Sequence, residues 1–199
     1  MGMQMEAVSQ LKNGVSMTLE SIREECNNCR KCELYKTRTN VVFGVGKEDA
    51  DVMFIGEGPG QSEDEQGIPF VGRSGQLLTN YLGAVGINRT DVYITNIVKC
   101  RPPSNRDPKP EEQELCIDYL RSQIKVIKPR IIICLGRVAS CRLIDDDFKV
   151  TKQHGEFIRK KDYLMMGSYH PSALLRNPNL KFDALNDFKK IAEEIKRIS

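Results

Sequence analysis

Apolar runs and amphipathic stretches alternate along this chain. Residues 52–55, 92–98 and 131–135 are short, continuous runs rich in β-branched and aromatic side chains, each bounded by Gly, Pro or Asp. That pattern predicts strands buried on both faces, as in a parallel sheet. Residues 157–166 supply further extended structure, and residues 39–46 an extended arm before the first core strand. Between the runs the period changes to that of helices. A short helix from Thr18 turns Leu19 and Ile22 inward, and Ser74 is a candidate N-cap for a helix with Leu78, Leu82 and Val85 on one face, ended by Gly86. After a loop with four prolines (residues 101–110), Cys116, Leu120, Ile124 and Ile127 share a helix face that Pro129 stops, and Gly136 opens the next helix. A closing helix over 183–198 buries Leu185, Phe188, Ala192 and Ile195. Strands alternating with helices predict an α/β fold, a three-layer α/β/α sandwich. Residues 1–17 carry no clear period and are expected to fray, leaving 18–199 as one domain.

Composition narrows the class. At 199 residues, 40% hydrophobic and 29% charged, the chain suits one soluble domain with a full core. It has no apolar run of membrane-span length and no basic-then-apolar leader, so a cytoplasmic protein with no membrane partner is expected. A net charge of +3 does not by itself specify a nucleic-acid partner; the local cluster Lys99, Arg101, Arg106 and Lys109, around the proline-rich turn, says more. The seven cysteines are unusual for a reducing compartment, where clustered thiols point to metal rather than disulfides. Cys29 and Cys32 form a C-x-x-C, and Cys100 and Cys116 complete a set of four that would staple the N-terminal arm to the core. Zinc and iron–sulfur both fit four thiolates. Cys26 and Cys29 are also a C-x-x-C, while Cys134 and Cys141 suit ordinary burial.

The first core strand ends in Gly56-Glu-Gly-Pro-Gly60. Gly56, Gly58 and Gly60 allow backbone N–H groups to approach a ligand closely, with the Glu57 carboxylate inside the turn. Ligands of open α/β sheets bind beyond the carboxyl ends of the strands, where this turn lies. Taken alone, the turn is equally a strand-to-loop connection that uses glycine for geometry.

Several segments together carry a resemblance. Cys29-x-x-Cys32, Arg38-Thr-Asn-Val-Val-Phe-Gly44, Gly56-Glu-Gly-Pro-Gly60, Gly67-Ile-Pro-Phe-Val-Gly72, Gly75-Gln-Leu-Leu78, Tyr93-Ile-Thr-Asn-Ile-Val-Lys-Cys-Arg-Pro-Pro103 and His170-Pro-Ser172 resemble family 4 uracil-DNA glycosylases, the iron–sulfur branch of their superfamily. The likeness runs from about residue 29 to 190. It implies a central four-stranded parallel sheet, a 4Fe–4S cluster on Cys29, Cys32, Cys100 and Cys116, and a monomer that acts on uracil-containing DNA by hydrolysing the N-glycosidic bond of deoxyuridine.

That reaction makes demands the residues can be set against. The base must leave its stack for a snug pocket. Negative charge develops on the departing uracil, and His170 matches the family's histidine that donates to it. Phe70 is the aromatic face for the flipped base, although a core phenylalanine reads the same way in sequence. Asn96 can accept from N3–H and donate to O4, the pattern of uracil and not of cytosine. Glu57 is the candidate for positioning water and for facing the cationic sugar. Family 1 relatives carry Gly-Gln-Asp-Pro-Tyr at this turn; here Gly58 stands at their aspartate and Gly60 at their tyrosine, so either Glu57 acts from the neighbouring position or the rate comes mostly from stabilising the leaving group. Glu63 is a candidate to close the pocket edge, or else one carboxylate in a solvated acidic run with Asp64 and Glu65. The segment 170–176 resembles a loop that wedges Leu174 or Leu175 into the vacated stack, with Ser172 and Arg176 toward the backbone, and Arg101, Ser104 and Arg106 are candidates for gripping phosphates.

Two other classes compete. A non-catalytic uracil-DNA-binding iron–sulfur protein is the alternative; the superfamily branch that traps uracil DNA uses a basic, histidine-bearing insert, and no Lys-Arg-Arg-Ile-His-like insert follows Gly72 or Lys99. An iron–sulfur electron carrier would leave Phe70, Asn96 and His170 without a purpose.

Overall fold

The structure is a computed structural model, described for residues 17–198. In chain order its elements are α1 (Leu19–Asn27), β1 (Val45–Gly46), β2 (Val52–Gly56), α2 (Gln61–Gln66), α3 (Arg73–Ala84), β3 (Tyr93–Asn96), α4 (Pro110–Ile127), β4 (Ile131–Leu135), α5 (Arg137–Leu143), α6 (Val150–Gln153), β5 (Phe157–Lys160), β6 (Tyr163–Ser168), α7 (Pro171–Arg176) and α8 (Lys181–Ile198). The strands form one sheet in the order β1-β3-β2-β4-β6-β5. The inner four, β3, β2, β4 and β6, are parallel. The expected four-stranded parallel sheet is therefore the centre of a six-stranded mixed one. Both additional strands are antiparallel edges: β1 against β3, and β5 folded back on β6 through a turn at Lys161. Parallel sheets commonly gain such edges, and a two-residue strand like β1 is too short to carry a period.

Side-chain alternation builds the three layers. Met53, Ile55, Tyr93, Ile132, Cys134 and Met165 face α1, α4 and α5. Their neighbours Val52, Phe54, Ile94, Ile131, Ile133, Leu135 and Met166 face α3, α7 and α8. A strand puts successive residues on opposite faces, so uninterrupted apolar runs can only feed two cores at once. Leu19 and Ile22 are buried behind a Thr18 cap, as expected. In α8 the inward face runs through Ala184, Asp187, Phe188 and Ile191, with Leu185 and Ile195 only partly covered. The fraying expected of residues 1–17 falls, but for residue 17, outside those described. Among the described residues, no helix is long and apolar enough to cross a membrane.

The segment between β2 and α3 is folded by close approach. The helix expected to be capped by Ser74 starts at Arg73, with Gly72 as N-cap. Glu63, on α2, accepts from the Val71 and Gly72 N–H groups at 3.0 and 2.9 Å. Asp64, buried, accepts from the Thr39 N–H at 2.9 Å. The acidic run is thus a pair of braces, not a solvated face. Phe70 has φ +53°, a left-handed conformation that costs a bulky residue about 1–3 kcal/mol. Its carbonyl rests on Gly75, where a Cβ would lie 1.8 Å from the Phe70 oxygen. Arg89 donates to the Pro69 carbonyl at 2.7 Å and holds the same loop from the other side.

Gly75→Ala separates two effects. Helix propensity alone favours Ala by about 1 kcal/mol. The contact with the Phe70 backbone opposes it, and overpacking typically costs about 1–3 kcal/mol. The expected outcome is net destabilisation in urea unfolding together with movement of the Phe70 loop; a more stable variant would mean that the loop yields freely.

Candidate active site and cysteine cavity

The carboxyl ends of β2, β3, β4 and β6 open into a cavity of about 840 Å³, lined among others by Glu57, Gly58, Glu63, Phe70, Asn96, Gly136 and His170. Open α/β sheets place ligands at this end. Asn96 is the last residue of β3 and is 1% exposed. Its backbone carbonyl accepts from Lys99 Nζ at 2.9 Å, but its side-chain Oδ1 has no hydrogen-bond partner among the described residues. A buried acceptor without a donor is costly, by about 1–3 kcal/mol. Gly56 lies opposite: a Cβ there would come within 2.5 Å of both Asn96 Oδ1 and Phe70 Cζ. The Phe70 and His170 rings stand 5.7 Å apart. Gly136, at φ +89°, leaves room for His170, whose Cβ would be 2.8 Å from a Cβ at that position. Residues spread over more than a hundred positions thus meet at one spot.

A second cavity lies on the α1–α4 side. Cys26, Cys29, Cys32, Cys100 and Cys116 all line it, with Lys99, Arg38 and Tyr119. The expected four thiols converge, and Cys26 joins them as a fifth. Two donors point at sulfur: the Lys99 N–H to Cys116 Sγ at 3.3 Å and Arg38 Nη1 to Cys100 Sγ at 3.1 Å. Burial raises the Cys26 thiol to about 12 and Cys116 to about 11, while the Lys99 ammonium pulls both down. Lys99, counted from sequence among surface cations, is instead 1% exposed and bonded to Thr95 Oγ1, Asn96 O and Gln123 Oε1. Burial lowers it to about 8, with the neighbouring Cys116, Cys26 and Cys100 opposing the shift. Among the described residues no three metal-binding side chains are gathered about a single ion.

Comparison with known proteins agrees with this geometry. The model of the uracil DNA glycosylase superfamily matches residues 43–196. The type-4 uracil-DNA glycosylase of Archaeoglobus fulgidus is 47% identical over 184 residues, covering 88% of this chain and 92% of that protein. The chain belongs to the uracil-DNA glycosylase superfamily, in its type-4 group. The type-4 enzyme of Thermotoga maritima is 45% identical over 186 residues, 90% of this chain and 95% of the relative. A type-5 uracil-DNA glycosylase of Pyrobaculum aerophilum is more distant, at 31% over 173 residues, 78% of this chain and 76% of its own.

Not every residue singled out for this superfamily member faces the cavity as expected. Glu63 lines it, but its Oε1 is committed to the loop after Phe70. Leu174 is 1% exposed, packed in the core with α3 and α8, and so is not available as a wedge; Leu175, at 38%, points outward. Arg106 spends its guanidinium on Glu112, at 2.6 and 2.8 Å. Arg101 donates to Asn105 Oδ1 at 2.8 Å, Ser104 is exposed with φ +56°, and Arg176 is exposed at the end of α7. Ser172 serves His170: its N–H and hydroxyl both donate to Nδ1, at 3.1 and 2.8 Å. The structure adds Asp107, Arg137 and Tyr169 to the cavity wall, none of which stood out in sequence. A loop aspartate between prolines, an arginine opening a helix and a tyrosine before a histidine carry no local signal.

The glycosylase's acid–base character follows from these surroundings. With Nδ1 accepting, the His170 proton sits on Nε2. Burial and the Arg176 charge push the imidazole down to about 4, so it is a neutral donor at neutral pH. Glu57 moves the other way, up to about 7, because burial and the adjacent Asp107 carboxylate outweigh Arg137 and Arg176. A carboxyl raised in the folded state costs stability as it ionises, from about 4.5 to about 7, and that cost is fully present above the higher value. Glu57→Gln is therefore expected to raise the urea midpoint relative to the parent at pH 8, with the gain fading as pH falls toward 4.5. A difference between the two proteins that does not change with pH would contradict the burial of this charge.

Proposed function

We propose that this protein is a DNA repair enzyme, a monofunctional uracil-DNA glycosylase that releases uracil and leaves an abasic site. The observation that carries the reading is the unpartnered, buried Oδ1 of Asn96 at the cavity floor. An acceptor there suits the N3–H of uracil, while Nδ2 can donate to O4; cytosine offers the opposite pattern at both atoms. The Phe70 ring forms the stacking face, and neutral His170 offers Nε2–H to the uracil O2 as charge gathers on the leaving base. The backbone around Gly56 and Gly58 closes on the base without Cβ atoms in the way.

On the sugar side, ionised Glu57 takes a proton from the attacking water and faces the developing cation. The nucleophile's oxygen bonds C1′ as the C1′–N1 electron pair leaves with uracil. Extrusion of the base leaves a gap in the duplex that Leu175 suits by its exposure, with Arg176, Arg101 and Ser104 toward the phosphates. A donor for the leaving group together with a carboxylate poised near neutrality supports catalysis over passive binding.

Cys29, Cys32, Cys100 and Cys116 are the residues to hold a 4Fe–4S cluster, which would serve as a staple between the N-terminal arm, β3 and α4. The donor set supports it: cysteines alone, with N–H groups aimed at two of the sulfurs. We read the protein as a cytoplasmic monomer acting on uracil-containing DNA.

Incubation with a uracil-containing oligonucleotide followed by alkali is expected to give strand breaks at uracil; an intact strand would leave only the binding reading. Asn96→Asp is expected to cut uracil DNA at least roughly tenfold more slowly, since a carboxylate opposes O4, and to narrow the preference over cytosine. Unchanged rate and preference would remove Asn96 from the pocket. Cys100→Ser is expected to lower iron content and thermal midpoint together, each kcal/mol lost appearing as roughly 2–4 °C. A fully active, iron-free variant with an unchanged midpoint would remove the cluster.

A further inference from the structure

The inward face of α8 carries one charged residue. Asp187, 1% exposed, stands among Ala184, Phe188 and Ile191. Two groups donate to its carboxylate. Ser168, the buried last residue of β6, gives its hydroxyl to Oδ2 at 2.7 Å. His154 turns Nδ1 toward both oxygens, at 2.9 and 3.0 Å. An ionised carboxylate only accepts, so Nδ1 keeps its proton whatever the charge of the ring. The loop is shaped for this pair: at Gly155, φ +71°, a Cβ would come within 2.2 Å of Asp187 Oδ1. Lys190, one turn along α8, donates to the Gly155 carbonyl at 2.9 Å. The network ends beside His170. Ser168 is bound a second time, its carbonyl accepting from the Gly136 N–H at 2.8 Å. The Tyr169 ring, part of the cavity wall, has its centroid 4.6 Å from that of the His154 ring. The two residues before His170 are thus both held from behind the cavity wall, one by Asp187 and the other by His154.

We propose that Asp187 and His154 are positioning residues for the leaving-group donor: they hold the Ser168–Tyr169 segment so that His170 Nε2–H is aimed at uracil O2. The proposal rests on the reading of His170 given above. Neither residue touches the substrate; each acts through a neighbour of His170. Apolar contacts are non-directional, whereas hydrogen bonds to a carboxylate prescribe angle as well as distance. Burying a carboxylate is costly, and an apolar side chain at 187 would suit the surrounding face of α8 better. What the buried charge adds is a fixed geometry at the end of β6, where the strand hands over to the catalytic histidine. Ser172 already orients the His170 ring from the residues that follow it. Asp187 and His154 supply the matching constraint from the residues that precede it. Such a constraint matters because a displacement of about 1 Å in a catalytic group can cost about 10²-fold in rate.

The test uses the full-length protein and two readouts. The first is the ¹⁵N–¹H spectrum of the imidazoles; the chain has two histidines, so a His154 variant leaves His170 as the single signal. The second is single-turnover cleavage, at saturating protein, of uracil DNA and of 5-fluorouracil DNA. His154→Phe keeps a ring against Tyr169 and removes the donor to Asp187. It is expected to move the His170 resonances and to slow uracil cleavage at least about tenfold, with DNA affinity unchanged. The loss on 5-fluorouracil DNA is expected to be smaller, because fluorine already stabilises the departing anion. His154→Gln, which retains an N–H donor, is expected to lose less than His154→Phe. Should His154→Phe fold poorly, Asp187→Asn keeps the side chain's shape, removes its charge and is read by the same two measurements. An unmoved His170 signal overturns the proposal, and so does a rate loss equal on both substrates, which would mark the pair as a general brace. A Gln variant no better than Phe overturns the hydrogen-bonded pair as the cause. If the parent cleaves no uracil DNA while the His170 signal moves, the functional reading fails and the coupling stands. If the parent cleaves and neither signal nor rate responds, the coupling fails and the functional reading stands.

Discussion

One buried ammonium joins the two halves of this molecule. Lys99 Nζ donates to Thr95, Asn96 and Gln123, and its own backbone N–H reaches Cys116 Sγ. It therefore closes the end of β3 from below, fixing the carbonyl of the residue whose side chain forms the pocket floor, while its charge faces the thiols. A buried cation persists only where it is fully hydrogen-bonded and opposed by negative charge; removing the partners of such a group typically costs about 3–5 kcal/mol. Three oxygens supply the bonds, and the Lys99 charge in turn pulls the Cys26 and Cys116 thiols down against their burial. The cysteine cavity and the base pocket are in this sense one structure viewed from its two sides.

The pocket itself depends on backbone standing where side chains normally would. Gly56 and Gly136 let Phe70 and His170 approach the strand ends to within a methyl's width, and Gly75 carries the Phe70 carbonyl. The result holds an aromatic ring in a left-handed backbone conformation, with an unpartnered acceptor beneath it. Each is unfavourable in the empty protein, by about 1–3 kcal/mol. They persist because braces outside the pocket over-determine them: Glu63 on Val71 and Gly72, Arg89 on Pro69, Asp64 on the Thr39 arm. Binding a ligand with the right hydrogen-bond pattern relieves the unpartnered acceptor, and that is how such a site discriminates.

Opposite shifts of two titrating groups set the chemistry. His170 is kept neutral because its N-cap role ties up Nδ1 and burial and Arg176 disfavour the cation. Glu57 is kept close to neutrality by burial and a like charge. An uncharged donor on one side of the glycosidic bond and a basic carboxylate on the other divide the labour, and each is made so by its surroundings rather than by its residue type.

Local pattern in the sequence determined much of this. The parallel core strands, the helices between them, the glycine turn after β2 and the inward faces of α1, α3 and α4 follow from periodicity and capping, which act over a few residues. Asn96, Phe70 and His170 were legible because long segments resembled a known family, and the cavity brings all three together. What tertiary structure decided involves residues far apart in sequence. The edge strands β1 and β5 owe their pairing to neighbours and not to their own pattern. Leu174 and Leu175 are indistinguishable in sequence; packing against α3 and α8 turns one inward and leaves the other out. Arg106 reads as a phosphate grip until Glu112 meets it, and Lys99 as a surface cation until the fold encloses it. Asp107 lines the same cavity as Glu57 because parallel strands bring their carboxyl ends to one edge of the sheet, so that loops from distant parts of the chain share a single space, and Cys26 joins the other thiols because α1 packs on α4.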